Sequence, residues 1–477
     1  MKDPKRVTVI GAGIAGLACA YEILSQARNK GLPIEVAVVD RASYIGGKIK
    51  TTYADPYTVE GGPDCFILEK PWALSLIREL GMEDQLVNTS SSASGTYIYA
   101  GNRLHRLPDG LIMMIPTKII PFATSPLISW PGKIRMGMDL LIPRRQGGGD
   151  ESLASFVTRR LGREALEKIA EPLVGGIHAG NPDNMSLLAT FPRFIEMEQQ
   201  SGSLIRGMFA RKKAMAEAMK NRPKTGAPPR TFFISMKKGM AQLTDALADV
   251  IGRQRITTNL AIRTVAKGDQ EGYLLETADG QQWQADSVVM ASESFATADM
   301  VASLAPDLAA TLKKIPYVSS SIVSLVFSRD DIPHPLDTYG FIVPKISNRK
   351  IMATTWSSIK WPHRSPAGKV LMRSFVGGAQ QPELADLDDA TITATVLHEL
   401  KEIIGISAKP EQVWINRWPQ GMPQYIVGHL DRLAVIDQQL KALPGLYLTG
   451  AGYRGIGLPD CINHARQTGE KVVADLL

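Results

Sequence analysis

The sequence is poor in the residues that usually announce chemistry. Of 477 residues only three are cysteine. Cys19, Cys65 and Cys461 stand singly, with no Cys-x-x-Cys pair. That spacing excludes a zinc ribbon or a redox dithiol and predicts three small buried apolar side chains in a reducing, cytoplasmic setting. Aromatic residues make up 6% of the chain, and no finger, helix-turn-helix or RNP pattern occurs, which argues against nucleic-acid binding. No apolar run approaches the ~20 residues of a membrane span. The opening Met-Lys-Asp-Pro-Lys-Arg runs straight into a strand, so no signal peptide is expected. Seven histidines are scattered, and no Ser-His-carboxylate set, carboxylate pair or metal cluster is visible. Such a chain needs a borrowed reactive group. What is present suits two or three ordinary globular domains, with 44% hydrophobic and 21% charged residues. The net charge of +7 favours an acidic ligand or an anionic surface.

The most informative stretch is Val7-Thr-Val-Ile10-Gly11-Ala12-Gly13-Ile14-Ala15-Gly16. A β-branched strand feeds a glycine turn and then an amphipathic helix (Leu17, Ala18, Tyr21, Ile23, Leu24). Gly11 makes the tight turn, Gly13 admits a pyrophosphate, and Gly16 lets the helix close on the strand. The helix N-terminus adds free N–H donors and partial positive charge. A second strand, 34–39, ends in Asp40, placed to accept from a ribose 2′-OH. Arg41 beside it is the one feature that would suit a 2′-phosphate. Beyond lie two more glycine turns, Gly46-Gly47-Lys48 and Gly61-Gly62-Pro63-Asp64. Near the C-terminus, Gly450-Ala-Gly452 ends a strand, and Gly455-Ile456-Gly457-Leu458-Pro459 leads into a helix over 461–477. A helix starting there would present the positive end of its dipole to a group held by the turn. The fold class is α/β, α+β overall: a Rossmann-like two-dinucleotide-binding domain, a mixed-sheet substrate domain and a helical cap.

These glycine turns resemble those of the two-dinucleotide-fold flavoproteins, the superfamily of amine oxidases, phytoene desaturases and porphyrinogen oxidases. Most members carry Glu where this chain has Asp40. The resemblance implies FAD as cofactor, with Gly11, Ala12, Gly13, Ile14, Ala15, Gly16, Asp40, Arg41, Gly47, Lys48, Gly61, Gly62, Pro63, Asp64, Ile262, Trp418, Gly450, Gly455, Ile456, Gly457 and Leu458 contributing to its site. It divides the chain into an FAD-binding domain (1–70, 239–300, 430–477), a substrate domain (71–95, 206–238, 301–429) and a membrane-binding-like cap (96–205).

In chain order, the pattern predicts a helix over 71–81, a hairpin over 96–107, helices over 151–177 broken at Leu161-Gly162, and a helix over 239–250. Strands follow at 256–265, 273–277, 282–291, 321–327, 339–343, 351–355 and 369–376, and a helix at 388–404. Two readings fit residues 110–142, where four prolines and two lysines interrupt apolar stretches: a helical cap over a large hydrophobic ligand, touching a membrane surface at most peripherally, or ordinary core with methionine filling gaps. Two also fit the basic run from Arg206 to Lys238 (Arg211, Lys212, Lys213, Lys220, Arg222, Lys224, Arg230, Lys237, with a loop at 226–229): a solvated face, or steering of a polyanion or an acidic partner.

The segment Glu171-Pro-Leu-Val-Gly-Gly-Ile177-His178-Ala-Gly180 through Ser186, with Arg417-Trp418 through His429, narrows the resemblance to the porphyrinogen oxidases, in particular the soluble type of monoderm bacteria. For that group the implied activity is oxidation of coproporphyrinogen III to coproporphyrin III in haem biosynthesis. Six electrons pass in three rounds from the macrocycle to flavin N5 and on to molecular oxygen, giving hydrogen peroxide. No side chain is singled out as catalytic, since flavin N5 carries the chemistry. The resemblance places Lys70 and Ile177 at the tetrapyrrole and implies a contact with a ferrochelatase. Lys70 otherwise reads as an exposed loop lysine, and His178 as a structural residue. Protoporphyrinogen IX is the alternative substrate; an amine oxidase and a non-catalytic porphyrin carrier are the alternative functions.

Overall fold

The computed structural model describes residues 3–112, 114–220, 230–268 and 271–477. They form two compact units, one of Met1–Thr89, Arg230–Pro316 and Leu430–Leu477, the other of Ser90–Pro229 and Tyr317–His429.

A five-stranded parallel sheet runs through the first unit. Its order is Ile256–Thr257, Ile34–Val39, Lys5–Ile10, Ser287–Met290, Leu446–Leu448. Parallel strands are covered on both faces, so they read as continuous apolar runs, and all four residues of Ser287–Met290 are buried. The first helix, Ile14–Lys30, and the C-terminal helix, Leu458–Asp475, share one core with the central strands through Leu17, Ile23, Val9, Ile462, Ala465 and Val472. These helices pack closely at Gly469, where a Cβ would lie 3.0 Å from the Cys19 carbonyl oxygen. On the opposite strand face Trp283 Nε1 donates to Thr8 Oγ1 at 3.2 Å. Trp283 belongs to a three-stranded antiparallel meander, Ile262–Lys267, Tyr273–Thr277 and Gln282–Ala285. A smaller sheet sets Phe233–Met236 between Phe66–Ile67 and Leu86–Asn88. This pairing draws residues 71–89 and 230–238, which the sequence puts with the substrate domain, into the first unit.

In the second unit a seven-stranded sheet runs Gln412–Pro423, Tyr317–Ser328, Lys369–Gly377, Ala353–Trp356, Gly340–Ile342, Tyr97–Ala100, Arg103–Arg106. Its pairs are antiparallel except that between Gly340–Ile342 and Tyr97–Ala100. Helix Asp389–Ile404 lays Ile392, Val396 and Leu400 against Val323, Leu325 and Met372 of this sheet. Its start is fixed by Asp388, whose Oδ1 accepts from Thr391 N at 2.9 Å. A helical layer over residues 119–220 has its own core, with Phe156, Val157, Leu161, Ile169 and Phe194 buried. Arg160 and Asp139 are both fully buried within it. Arg160 Nε donates to Asp139 Oδ1 at 2.6 Å, and the guanidinium also reaches the carbonyls of Ile142 and Gly202 at 2.9 and 3.0 Å.

Residues 110–142 are less helical than their composition suggests. A two-residue hairpin, Leu111–Ile112 with Ile115–Pro116, precedes short helices at Ile119–Thr124 and Trp130–Gly137. Both readings of this stretch contribute: Ile115, Phe122, Leu127, Ile128 and Met136 are core, while Ile119, Ile120, Trp130, Ile134 and Leu141 are exposed. Of the basic run, Arg206, Arg211, Lys212 and Lys213 lie on the helix Leu204–Lys220. Arg206, Lys212 and Lys213 are solvent-exposed there. Arg230 instead pairs with Glu83 at 2.6 Å. Arg222, Lys224, the loop at 226–229 and the Lys220 side chain lie outside the described residues.

Cys19 and Cys461 are buried, and Cys65 is half-buried. Burial, and next the charge of Asp460, pushes the Cys461 thiol up to about 12; burial raises Cys19 as well. Because the thiolate is the reactive form, iodoacetamide at pH 8 should label Cys65 alone in the folded protein and all three after denaturation. Intact-mass measurement checks this, and labelling of Cys461 in the native state would contradict it.

Candidate functional site

The five strands of the parallel sheet end at one level, tied by four backbone hydrogen bonds. Gly11 N donates to Val39 O at 2.7 Å, Ala291 N to Ile10 O at 2.8 Å, Thr449 N to Met290 O at 3.0 Å and Asp40 N to Thr257 O at 2.9 Å. The first strand is flanked by Ile34–Val39 on one side and Ser287–Met290 on the other. In open α/β sheets this reversal of strand order is where a ligand binds, beyond the carboxyl ends. Gly11 sits there at φ +115°, and a Cβ on it would lie 2.8 Å from Ala291 O. A Cβ on Gly16 would lie 1.8 Å from Gly11 O, whereas one on Gly13 meets only Gly47 Cα, at 3.8 Å. So Gly11 and Gly16 serve packing, and Gly13 keeps one side of the turn open. Gly13 N-caps the first helix without a side-chain cap, and the first turn carries no acidic residue. The orphan N–H donors of that turn suit a pyrophosphate. Ala12 and Ala15 are buried behind it, and Ile14 packs against the core.

The second glycine turn docks on the first. Gly46 N donates to Ala12 O at 2.8 Å, and Gly13 and Gly46 form a parallel β-bridge. The third is equally tight: Gly61 N donates to Lys50 O at 2.7 Å, and a Cβ on Gly62 would lie 1.8 Å from Lys48 O. Pro63 is exposed, and the Asp64 carbonyl accepts from Ser235 Oγ at 2.7 Å. Glu60, buried just before this turn, accepts from Met240 N at 2.9 Å and Thr51 Oγ1 at 2.7 Å. It thereby ties the turn to the start of the helix Ala241–Ile251.

Asp40 Oδ2 accepts from Ala12 N at 2.6 Å and Oδ1 from Ala42 N at 2.8 Å. A carboxylate accepts about four hydrogen bonds, so ribose hydroxyls still find acceptors here. Asn259 N and Leu260 N donate to the carbonyls of Ala42 and Asp40, both at 2.9 Å, and Ile262 opens the strand just beyond. Arg41 is exposed.

Two ion pairs complete the set. Lys48 Nζ meets Glu293 Oε1 at 2.5 Å. Burial works to raise the Glu293 carboxyl, but the Lys48 ammonium beside it and the more distant Arg41 outweigh burial and hold it below the usual carboxylate range. Lys70 Nζ meets Asp460 Oδ1 and Oδ2 at 2.5 and 2.6 Å. Lys70 is therefore not a bare loop lysine. Asp460 stands in the first turn of the C-terminal helix, after Gly450 (φ +119°), Gly455 (φ +125°), Ile456, the N-cap Gly457 and Leu458. These orphan donors, open glycine turns and acceptors fit an FAD dinucleotide.

The remaining candidates belong to the second unit. Ile177 lies in helix Glu171–His178, and its side chain is outside the described residues. His178 ends that helix with its ring edge-on to Phe191, centroids 5.6 Å apart, which suits a packing role. Trp418 is on the strand Gln412–Pro423, paired with Ser320. Glu60, Glu293 and Asp460 went unread as site residues in the sequence. Single carboxylates beside glycine turns carry no periodic signal, and only their partners, distant in sequence, reveal them.

Comparison with known proteins agrees with this geometry. The family model for flavin-containing amine oxidoreductases matches residues 14–477. The coproporphyrinogen III oxidase of Bacillus subtilis is 37% identical, covering 100% of this chain and 99% of that protein. The chloroplastic protoporphyrinogen oxidase of Nicotiana tabacum is 29% identical over 98% of this chain and 85% of that one. A crystal structure from Exiguobacterium sp. 255-15, assigned to the protoporphyrinogen oxidases, superposes with a TM-score of 0.85 at 32% identity, covering 99% of each chain. The chain belongs to the flavin-containing amine oxidoreductase family, on its porphyrinogen-oxidase branch, and is an FAD-dependent oxidoreductase.

Proposed function

We propose that this chain oxidises coproporphyrinogen III to coproporphyrin III, a six-electron aromatisation with molecular oxygen as acceptor and hydrogen peroxide as by-product. The observation that carries this reading is full-length likeness to three bacterial coproporphyrinogen III oxidases at 33–37% identity. Bound FAD supplies the hydride acceptor. The first-helix N-terminus holds its pyrophosphate, Asp40 accepts from its ribose, and the Lys48–Glu293 pair lies beside the glycine turns. The N-terminus of the C-terminal helix would offer its partial positive charge to the flavin, which carries the redox chemistry when bound. Lys70 meets a substrate propionate, and Ile262 contributes to the cofactor site. Protoporphyrinogen IX is the second reading, favoured by the plant relatives at 25–29% identity.

Purified protein given either porphyrinogen under air separates the two, with porphyrin fluorescence and peroxide followed together. Faster turnover of the tetracarboxylate is expected. Preference for the dicarboxylate moves the assignment to protoporphyrinogen IX. No turnover of either by flavin-loaded protein sinks both readings.

A peripheral contact with an anionic lipid surface is also part of this reading. Ile119, Ile120, Trp130, Ile134 and Leu141 are each at least 66% exposed within 23 residues of chain, among Lys118, Lys133, Arg144 and Arg145. Apolar side chains ringed by cations suit insertion at lipid headgroups. No described helix is long and apolar enough to cross a membrane. The protein should float with phosphatidylserine vesicles and not with phosphatidylcholine vesicles, and Ile120→Asp with Leu141→Asp should abolish flotation. Flotation unchanged in that variant would remove this surface from consideration.

A further inference from the structure

Lys70 and Asp460, 390 positions apart, form a bidentate pair in the first unit, with Nζ–O distances of 2.5 and 2.6 Å. Their side chains are 30% and 16% exposed, so the pair is half-withdrawn from water yet reachable. An ammonium has three donors and no acceptor. Two are spent on Asp460, leaving one for a ligand. Asp460 is the immobile partner, because the turn before it wraps closely. A Cβ on Gly455 would lie 2.3 Å from Asp460 Cβ, and one on Gly457 would lie 2.9 Å from Asp460 Oδ2. Its place in the first turn of the C-terminal helix also favours its negative charge. Lys70, on a flexible four-carbon stem, is the partner that can move.

We infer that Asp460 is an internal competitor for Lys70: it parks the ammonium at the site, and a ligand carboxylate binds by taking over part of that charge. This rests on the porphyrin reading above and names the residue that tunes it. The device lowers the affinity for a carboxylate ligand and leaves one without a carboxylate unaffected. A ligand without a carboxylate gains nothing at Lys70, because Asp460 already satisfies it. A ligand with one gains the ammonium but also approaches the Asp460 charge. Asp460 thus sets how strongly a carboxylate is held, acting through Lys70.

The test uses flavin-loaded protein and two probes, coproporphyrin III and its tetramethyl ester, with binding read from quenching of porphyrin fluorescence. Asp460→Asn should tighten coproporphyrin about five- to tenfold and leave the ester unchanged. Lys70→Ala should weaken coproporphyrin, and Asp460→Asn added to it should then have no effect. Asp460→Glu, which keeps the carboxylate, should behave as the parent. Unchanged or weaker coproporphyrin binding in Asp460→Asn, or an equal change with and without Lys70, overturns the inference. So does loss of flavin from Asp460→Asn, seen at 450 nm, because Asp460 would then be serving the fold. Parent protein that binds neither probe overturns the porphyrin reading itself.

Discussion

A Gly16→Ala variant is expected to purify colourless. The added Cβ would sit 1.8 Å from the Gly11 carbonyl oxygen and 3.2 Å from Ala291 Cβ. The first obstacle is backbone and cannot rotate aside. Relief requires the Gly11 peptide to shift, and Gly11 N is the donor that ties this turn to Val39. The N–H groups proposed for the pyrophosphate then leave their positions together. A loss of at least about 100-fold in FAD affinity, ~3 kcal/mol, is expected. Gly13→Ala is the informative comparison. Its Cβ meets only Gly47 Cα at 3.8 Å, so melting temperature should hold while flavin affinity falls, because the methyl occupies the side a phosphate approaches. The 450-to-280 nm absorbance ratio of purified protein reads the first effect and thermal unfolding the second. Stoichiometric flavin in Gly16→Ala would show that this turn does not hold the cofactor.

The second large effect is on stability. Arg160→Met should cost about 3–5 kcal/mol, because it leaves Asp139 buried without its counter-charge. Asp139 Oδ2 would keep the Ser203 hydroxyl at 2.6 Å and Ile205 N at 3.0 Å. Glu198, also buried, keeps Arg159 at 2.6 Å. The carbonyls of Ile142 and Gly202 would lose the guanidinium. Against a typical total of 5–15 kcal/mol this is a severe loss. The double variant Arg160→Met, Asp139→Leu should recover part of it, since removing both charges removes the unpaired one. Urea unfolding checks both, and flavin absorbance in native protein should be unchanged, because the cluster and the glycine turns belong to different units. A loss below about 1 kcal/mol would mean that water reaches the vacated space.

The glycine turns were readable because each does a backbone job that only one residue type performs, at spacings that repeat. The same holds for strand and helix starts with a local signal, such as Asp388 before the helix Asp389–Ile404. Ion pairs were not readable: Lys48 was singled out but not Glu293, and Lys70 but not Asp460. A salt bridge constrains two positions in space and leaves no period in the chain. Arg160, in sequence one more cation near a helix end, is the best-bonded residue of its layer. Residues 110–142 left two readings open for a different reason. Proline and methionine broke the helical period, so composition alone could not separate the core-facing side chains from the exposed ones.

The candidate dinucleotide site is assembled from segments far apart in the chain. Its first glycine turn is made within the first twenty residues, but the edge strand Leu446–Leu448 and the helix Leu458–Asp475 come last. During synthesis the early turn must therefore wait for the distant strand Leu446–Leu448 and helix Leu458–Asp475 to leave the ribosome. A polypeptide stopped short of Leu446 carries the signature of a flavin enzyme but lacks the strand and helix that close the fold. The order of translation thus ties closure of this part of the fold to elements made hundreds of residues after its first glycine turn.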